Sequence, residues 1–563
     1  MTAADNPLIV QSDLAVLLET ASPHAQAARA VLARFAELKK APEHVHTYRI
    51  TPLSLWNAAV AGMTAGEVVA ALTDFAKYDV APVVLAEVRD QMSRYGRLRL
   101  VHDIDTAGLA LIADEPVLLE EVSRHRDVGS MLGERLDGNR FAVRLGDRGA
   151  LKQSLLALGW PVADEAGFEE GADLGNVELG VSLRSYQAES LAAWWLDGEP
   201  AGGSGVLTLP CGAGKTVIGL GAIVTTRTRT LVVCTSISAV RQWIREIIEK
   251  TSLTEDEVGE WSGRRKQLRP ITVVTYNVLT WADPSVDPDA DLLTRFPNLS
   301  LFDAEAWGLI IYDEVHLLPA PVFRATARIQ ATRRLGLTAT LIREDGHEGD
   351  VFSLIGPKRY DAPWAELEAL GWIAPATCTE VRLGLSDERR MEYALAEPRH
   401  RHRIAATAPE KLPILERIID SHEGEQVLVI GQFVEQLRDV AAYLDAPLLT
   451  GRTGQATRDK TFEDFRAGIL RVLVVSKIAN FSIDLPEVGV AIQISGQFGS
   501  RQEEAQRLGR ILRPKADGGE AHFYSLVTRD SDEARFARNR QRFLAEQGYT
   551  YVIVDAEDPT LTW

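Results

Sequence analysis

The sequence predicts an α/β chain, with two parallel-sheet lobes following an α+β N-terminal region. Three observations carry that prediction. Beyond residue 180, short β-branched runs alternate with helical patterns, the signature of a parallel sheet covered on both faces. The alternation occurs in two sets: Val206–Leu209, Thr230–Cys234, Ile271–Thr275 and Leu309–Tyr312, then Gln426–Ile430, Arg471–Val475 and Val490–Ile494. Helical stretches such as Val217–Ala222 and Ala239–Lys250 lie between the early runs. Before residue 164 the pattern is mixed instead.

In chain order, Leu8–Val10 and Ala15–Glu19 read as a hairpin, Leu53–Lys77 and Val83–Tyr95 as helical, and Leu98–His102 as a strand. Nothing in this region has catalytic spacing, and it reads as a folding or docking module. Asp164, Glu165, Glu169, Glu170, Asp173 and Glu178 then follow without a Lys or Arg, interspersed with Gly167, Gly171 and Gly175. That composition predicts a linker. The expected division is 1–99 and 100–163 for the N-terminal region, 164–179 for the acidic linker, 180–357 for lobe 1 and 358–563 for lobe 2. A less regular stretch at about 385–409 reads as an insertion into lobe 2.

Composition narrows the function classes. The chain has 563 residues, 46% hydrophobic and 25% charged, as in ordinary globular proteins. No apolar run approaches the roughly 18 residues of a membrane helix, and no secretory signal is expected from MTAADNPLIV. Cys211, Cys234 and Cys378 are far apart, which argues against a disulfide framework or a cysteine-held cluster and for a reducing cytoplasm. With 61 basic and 79 acidic residues the net charge is −18. Such a chain does not coat nucleic acid, so any binding of it has to use local basic grooves.

The chemistry concentrates in three places. An apolar run ending at Pro210 is followed by Cys211-Gly212-Ala213-Gly214-Lys215-Thr216 and a helical pattern. Such a turn aims backbone N–H groups and the positive helix end at a phosphate chain. Gly212, Ala213 and Gly214 form the cradle, Lys215 reaches the outer phosphates, and Thr216 offers a hydroxyl to Mg²⁺. Leu209 stands where the strict motif has Gly, so a tight strand-to-helix turn remains the alternative. Second, Leu309–Tyr312 ends in Asp313-Glu314-Val315-His316. Asp313 suits Mg²⁺ and Glu314 suits polarising an attacking water, against the alternative of a solvated strand end. Third, Gln506-Arg507-Leu508-Gly509-Arg510-Ile511-Leu512-Arg513 places Arg510 and Arg513 on one helical face. Arginines delivered to a γ-phosphate stabilise the transferring charge; an exposed basic helix is the plainer reading.

These segments, with Leu183-Arg184-Ser185-Tyr186-Gln187, Cys234-Thr235-Ser236, Thr275-Tyr276-Asn277 and Thr338-Ala339-Thr340, resemble superfamily 2 helicases. Arg343-Glu344-Asp345 resembles the RED motif of the XPB (xeroderma pigmentosum group B) type, bacterial form. The stretches Ser476-Lys477, Phe481–Pro486, Gln493–Ser495 and Gly499–Ala505 are similar to that family almost continuously, as are Leu8–Val10 and His44–Arg49. The resemblance implies RecA-like lobes and an ATP-dependent DNA helicase or translocase of 3′–5′ polarity, acting in repair of the nucleotide-excision type. ATP and Mg²⁺ are the implied cofactors and DNA the implied partner.

By the same resemblance Gln187 reads adenine, with Arg184 beside it among the nucleotide-binding residues. Thr338 and Thr340 link hydrolysis to strand movement. Arg343, Glu344 and Asp345 serve DNA opening, and Asp484 couples nucleotide to DNA. Residues 100–163 take the place of a damage-recognition-like domain. Arg389, Arg390, Arg399, His400, Arg401, His402 and Arg403 take that of a DNA-gripping thumb, though such a run also suits a solvated face. An RNA-dependent helicase and an ATPase clamp anchoring a repair or transcription assembly are the rival readings. A nuclease or repair-protein partner, no membrane, and a nucleoid-associated cytoplasmic location complete the expectation.

Overall fold

The structure is a computed structural model. It describes residues 5–40, 44–103, 108–210, 212–263, 265–330, 332–339, 348–362, 367, 376–476, 488–496, 521–535, 537–538, 541 and 550–558.

The chain opens with strands β1 (Leu8–Val10), β2 (Ala15–Glu19), β3 (Glu37–Lys40) and β4 (Val45–Arg49), forming an antiparallel sheet in the order β1-β2-β4-β3. Helices Ala25–Phe35, Pro52–Val60, Ala65–Asp74 and Pro82–Arg94 close its core over Leu8, Val16, Leu32, Phe35 and Leu72. The helical pattern over Leu53–Lys77 is two helices. Gly62 takes the left-handed conformation at φ +83°, and Thr64 then caps a new helix by a reciprocal capping box with Glu67.

A second module follows, with β5 (Leu98–Asp103), β6 (Gly108–Ala113), β7 (Leu132–Arg135), β8 (Arg140–Val143) and β9 (Val162–Glu165) in the order β7-β8-β6-β5-β9. The sheet overruns the expected 100–163 by two residues at each end. The stretch expected as an acidic linker is anchored. Glu165 ends β9, and Asp164 binds Arg148 and Lys152. Backbone bonds from Ala172 to Ala306, Leu174 to Arg227 and Gly180 to Lys250 then lay the segment along lobe 1. The carboxylates misled because a stretch can be acidic for an ion pair as well as for solvation.

Lobe 1 contains β10 (Ser204–Thr208), β11 (Thr230–Cys234), β12 (Val258–Trp261), β13 (Ile271–Thr275), β14 (Leu309–Asp313), β15 (Arg333–Thr338) and β16 (Lys358–Asp361). All pair in parallel, in the order β12-β13-β11-β14-β15-β10-β16. The strands β11 and β13 are buried throughout, as sheets covered on both faces require. Because β16 pairs with β10, lobe 1 extends through Asp361, past the expected boundary at 357. A single short polar strand, Lys-Arg-Tyr-Asp, gives no apolar run to announce it.

Lobe 2 repeats the plan. Its strands β17 (Ala376–Leu383), β18 (Val427–Gly431), β19 (Leu448–Leu449), β20 (Val472–Ser476), β21 (Val490–Gln493), β22 (Ala521–Thr528) and β23 (Thr550–Asp555) lie in the order β19-β20-β18-β21-β22-β17-β23. The described pairs are parallel. Two seven-stranded parallel sheets thus follow the α+β region. The stretch expected as an irregular insertion is a pair of helices, Asp387–Leu395 and Pro398–Ala406. Among the described residues no single helix is long and apolar enough to cross a membrane.

Candidate nucleotide site

Lobe 1 collects its chemistry at the carboxyl edge of its sheet, where parallel α/β folds bind ligands. Three neighbouring strands end there in register: Thr208 of β10 stands opposite Thr338 of β15, and Leu337 of β15 opposite Asp313 of β14.

The loop after β10 turns into the helix Lys215–Thr226. Gly212 and Gly214 have φ of +83° and +75°, a region that favours glycine. A Cβ on Gly214 would also lie 2.6 Å from the Gln187 amide nitrogen, so the second glycine meets a packing limit too. The loop is braced from behind. Tyr186 O–H and Gln187 Nε2–H both donate to the Ala213 carbonyl, at 2.8 and 3.0 Å. Gln187 Oε1 accepts the Arg184 backbone N–H at 3.0 Å, and the Arg184 guanidinium donates to Tyr186 Oη at 3.3 Å. Gln187 is buried with both ends of its amide committed to the protein. In this conformation it supports the phosphate loop, where the sequence reading has it recognising adenine.

Lys215 bridges the loop and β14. Its ammonium donates to the Leu209 carbonyl at 3.4 Å and lies 3.7 Å from Glu314 Oε1. Thr216 follows in the first helical turn, half-buried. Asp313 ends β14 with its carboxylate held by the Trp243 indole N–H at 3.0 Å, while Tyr276 O–H donates to its carbonyl at 3.0 Å. Burial first, then the neighbouring Glu314 carboxylate, pushes Asp313 up to about 6, against the pull of Trp243 and Lys215. Two carboxylates crowded at a half-buried edge favour a cation that relieves their repulsion.

Glu314 is a non-glycine residue at φ 51° and ψ 55°. That left-handed conformation turns its side chain off the strand, and such strain gathers at functional sites. Its Oε2 lies 3.6 Å from His316 Nδ1, which in turn is 2.6 Å from Thr338 Oγ1. A continuous polar line therefore runs Lys215–Glu314–His316–Thr338.

The structure brings Gly212, Ala213, Gly214, Lys215, Thr216, Asp313 and Glu314 to one sheet edge, and Thr338, expected to couple hydrolysis to strand movement, stands at the same edge. Arg184 and Gln187 stand behind the loop. Thr340, Arg343, Glu344, Asp345, Asp484, Arg510 and Arg513 lie outside the described residues. Sequence reasoning gave no role to His316, Tyr276 or Trp243. His316 had a signal, its place two residues beyond Glu314; Trp243 is one apolar position of a helix and had none.

In the basic helix pair of lobe 2, several side chains are already engaged. Arg389 pairs with Glu392 at 3.0 Å, Arg403 with Glu435, and Arg401 donates to the Ala396 carbonyl at 3.0 Å. His402 is buried against the Gly496 carbonyl at 3.1 Å. Arg389, Leu395, His400 and Arg403 line a groove of about 670 Å³ between the two helices.

Comparison with known proteins follows the same lines. The family model described as ERCC3/RAD25/XPB C-terminal helicase matches residues 367–560. One described as type III restriction enzyme, res subunit, matches residues 180–343, and one described as helicase conserved C-terminal domain matches residues 8–137. A DNA 3′-5′ helicase XPB of Kineococcus radiotolerans is 54% identical over 556 residues, covering 98% of this chain and 97% of its own. Its counterpart in Mycobacterium tuberculosis is also 54% identical, covering 98% of each chain. A general transcription and DNA repair factor IIH helicase/translocase subunit XPB of Antonospora locustae is 35% identical, over 98% of this chain and 82% of its own. On identity and coverage of that extent, the chain belongs to the ERCC3/RAD25/XPB helicase family.

Proposed function

We propose that the chain is an ATP-dependent DNA helicase or translocase of 3′–5′ polarity serving DNA repair, in the cytoplasm and associated with the nucleoid. The observation that carries this reading is the meeting of Lys215 and Glu314 at 3.7 Å beside the half-buried Asp313. It supports reading Lys215 as a phosphate-binding ammonium, Glu314 as a base and Asp313 as a cation-binding carboxylate at one sheet edge. The names of the 54% identical relatives supply the DNA substrate and the polarity.

On this reading Lys215 leaves Glu314 when nucleotide arrives and pairs with the outer phosphates, which frees Glu314 to orient the attacking water. Asp313 and the Thr216 hydroxyl would hold a Mg²⁺ ion, which would supply neutralisation of the phosphate charge when bound. Arg510 and Arg513 of lobe 2 stabilise the charge of transfer from the opposite side. His316 then carries the state of Glu314 to Thr338 and onward to the nucleic-acid side. Contacts to backbone phosphates give binding with little base preference and a steep dependence on salt. A nuclease or repair-protein partner belongs to the same proposal.

The test compares ATPase rates with single-stranded, forked and duplex DNA, then strand separation on 3′-tailed against 5′-tailed duplexes. DNA-stimulated turnover and unwinding of the 3′-tailed substrate alone are expected. The Lys215→Ala variant is expected to lose turnover; a rate within about twofold of wild type rejects the site, since a lost charge-assisted contact to phosphate is worth more than that. Stimulated turnover without strand separation identifies an ATPase clamp, and RNA as the better stimulator rejects the DNA reading.

A further inference from the structure

Trp243 lies in the helix Ile237–Lys250, is 1% exposed, and takes no part in the steps above. Packing alone asks only for an apolar side chain here. An indole adds an N–H that is costly to bury unpaired. Among the partners available to a buried donor, this one meets Oδ2 of Asp313, 70 residues away, at 3.0 Å. The other edge of the ring lies against the helix that follows the phosphate loop: a Cβ on Gly219 would come within 2.5 Å of Cη2 and 3.1 Å of Cζ3. Glycine at 219 leaves the space that the ring fills. One rigid side chain thus touches both the phosphate-loop helix and the carboxylate that ends β14.

A carboxylate is free to rotate about its last bond unless one oxygen is held. Here Oδ2 is held by a donor locked in the core, and with the Glu314 backbone N–H also facing the carboxylate its orientation is set while lone pairs remain for a further partner. Outer hydrogen bonds of this kind set the orientation of ligating groups. We propose that Trp243 is a positioning residue for the divalent cation that accompanies nucleotide, acting through Asp313. The proposal rests on the reading of Asp313 as a cation ligand, and the experiment separates the two.

The affinity of a fluorescent ADP (mant-ADP) is titrated with MgCl₂ for wild type, Trp243→Phe and Asp313→Asn, and each variant is also measured in EDTA. Trp243→Phe keeps an aromatic ring and removes the donor. Its Mg²⁺ midpoint is expected to rise about tenfold or more, the usual effect of losing an outer-shell partner. Its metal-free affinity for mant-ADP is expected to stay at the wild-type value. A superimposable Mg²⁺ titration overturns the proposal. So does a parallel loss of metal-free affinity, which assigns the ring to packing. Benzothienylalanine at position 243, an indole isostere without the N–H, gives the same reading if the phenylalanine variant fails to fold. If Asp313→Asn leaves the wild-type Mg²⁺ dependence intact, the ligand reading fails and takes the proposal with it. If Asp313→Asn abolishes that dependence and neither Trp243 variant alters it, the proposal alone fails.

Discussion

Replacing Asp164 by Asn is a sharp test of how β9 and the segment after it are held against the helix Arg148–Ala157. Arg148 grips the carboxylate with two donors, at 3.1 and 2.7 Å, and Lys152 adds a third at 2.7 Å. The side chains of Arg148 and Lys152 are only 2% and 7% exposed. The equally buried Arg334 stands close enough to feel Arg148 electrostatically. Asp164→Asn keeps the shape and removes the one negative charge from among three cations. Removing one partner of a buried pair costs about 3–5 kcal/mol, because the remaining charge stays desolvated. Lys152 limits the cost. Burial already lowers it to about 8, and without the carboxylate that raises it, it can shed its proton near neutral pH. Arg148 has no such escape.

The lower end, about 3 kcal/mol, is therefore expected, which for a unit of this size lowers the melting midpoint by roughly 6–12 °C. The assay is differential scanning calorimetry with hydrogen exchange of β9 and the following segment, where protection is expected to fall first. The sign with pH follows from Asp164. Burial pushes its carboxyl up, but Lys152 and Arg148 outweigh burial and hold it well below the usual range. Its stabilisation is therefore complete above the unfolded value of about 4 and is lost as pH falls through the folded one. The gap between wild type and variant should be largest at about pH 5, shrink toward neutral pH as Lys152 sheds its proton in the variant, and narrow again below about pH 4 as Asp164 is protonated in the wild type. A shift of under about 2 °C at pH 7, equivalent to less than about 1 kcal/mol, refutes this account of the cluster.

Two further predictions concern the nucleotide edge. Glu314→Gln keeps the side chain's size and removes the base, so turnover should fall about 10²–10⁴-fold with nucleotide affinity near wild type; a parallel loss of affinity in equilibrium binding refutes the assigned role. His316→Ala interrupts the line from Glu314 to Thr338 while leaving Lys215 and Asp313 in place. ATP hydrolysis should persist while strand separation on a 3′-tailed duplex is lost, and equal losses of both count against a coupling role.

Much of this molecule could be read before any coordinates. Glycines at 212 and 214 before Lys215, and acids closing an apolar run at 313 and 314, are local patterns whose chemistry depends on neighbours along the chain. The two lobes were legible for the same reason, since their strands are continuous apolar runs. The errors came where one pattern has two physical causes. Asp164 in an acidic stretch suggested solvation and proved to be the centre of a buried ion pair. Gln187 is a different case: it matches a motif for base recognition, and in this conformation its amide meets Ala213 and Arg184.

What no local pattern carried are the contacts between residues far apart in sequence. Trp243 reaches Asp313 across 70 positions, Gln153 reaches Asp350 across 197, and Lys358 reaches Asn57 across 301. Periodicity and turn chemistry act over a few residues, and so they specify strands, helices and loops. Which donor meets which carboxylate depends on the order of strands in a sheet and on what packs over it. That is a property of the folded chain, and it is why the phosphate loop was visible in the letters while the groups that brace and orient its partners were not.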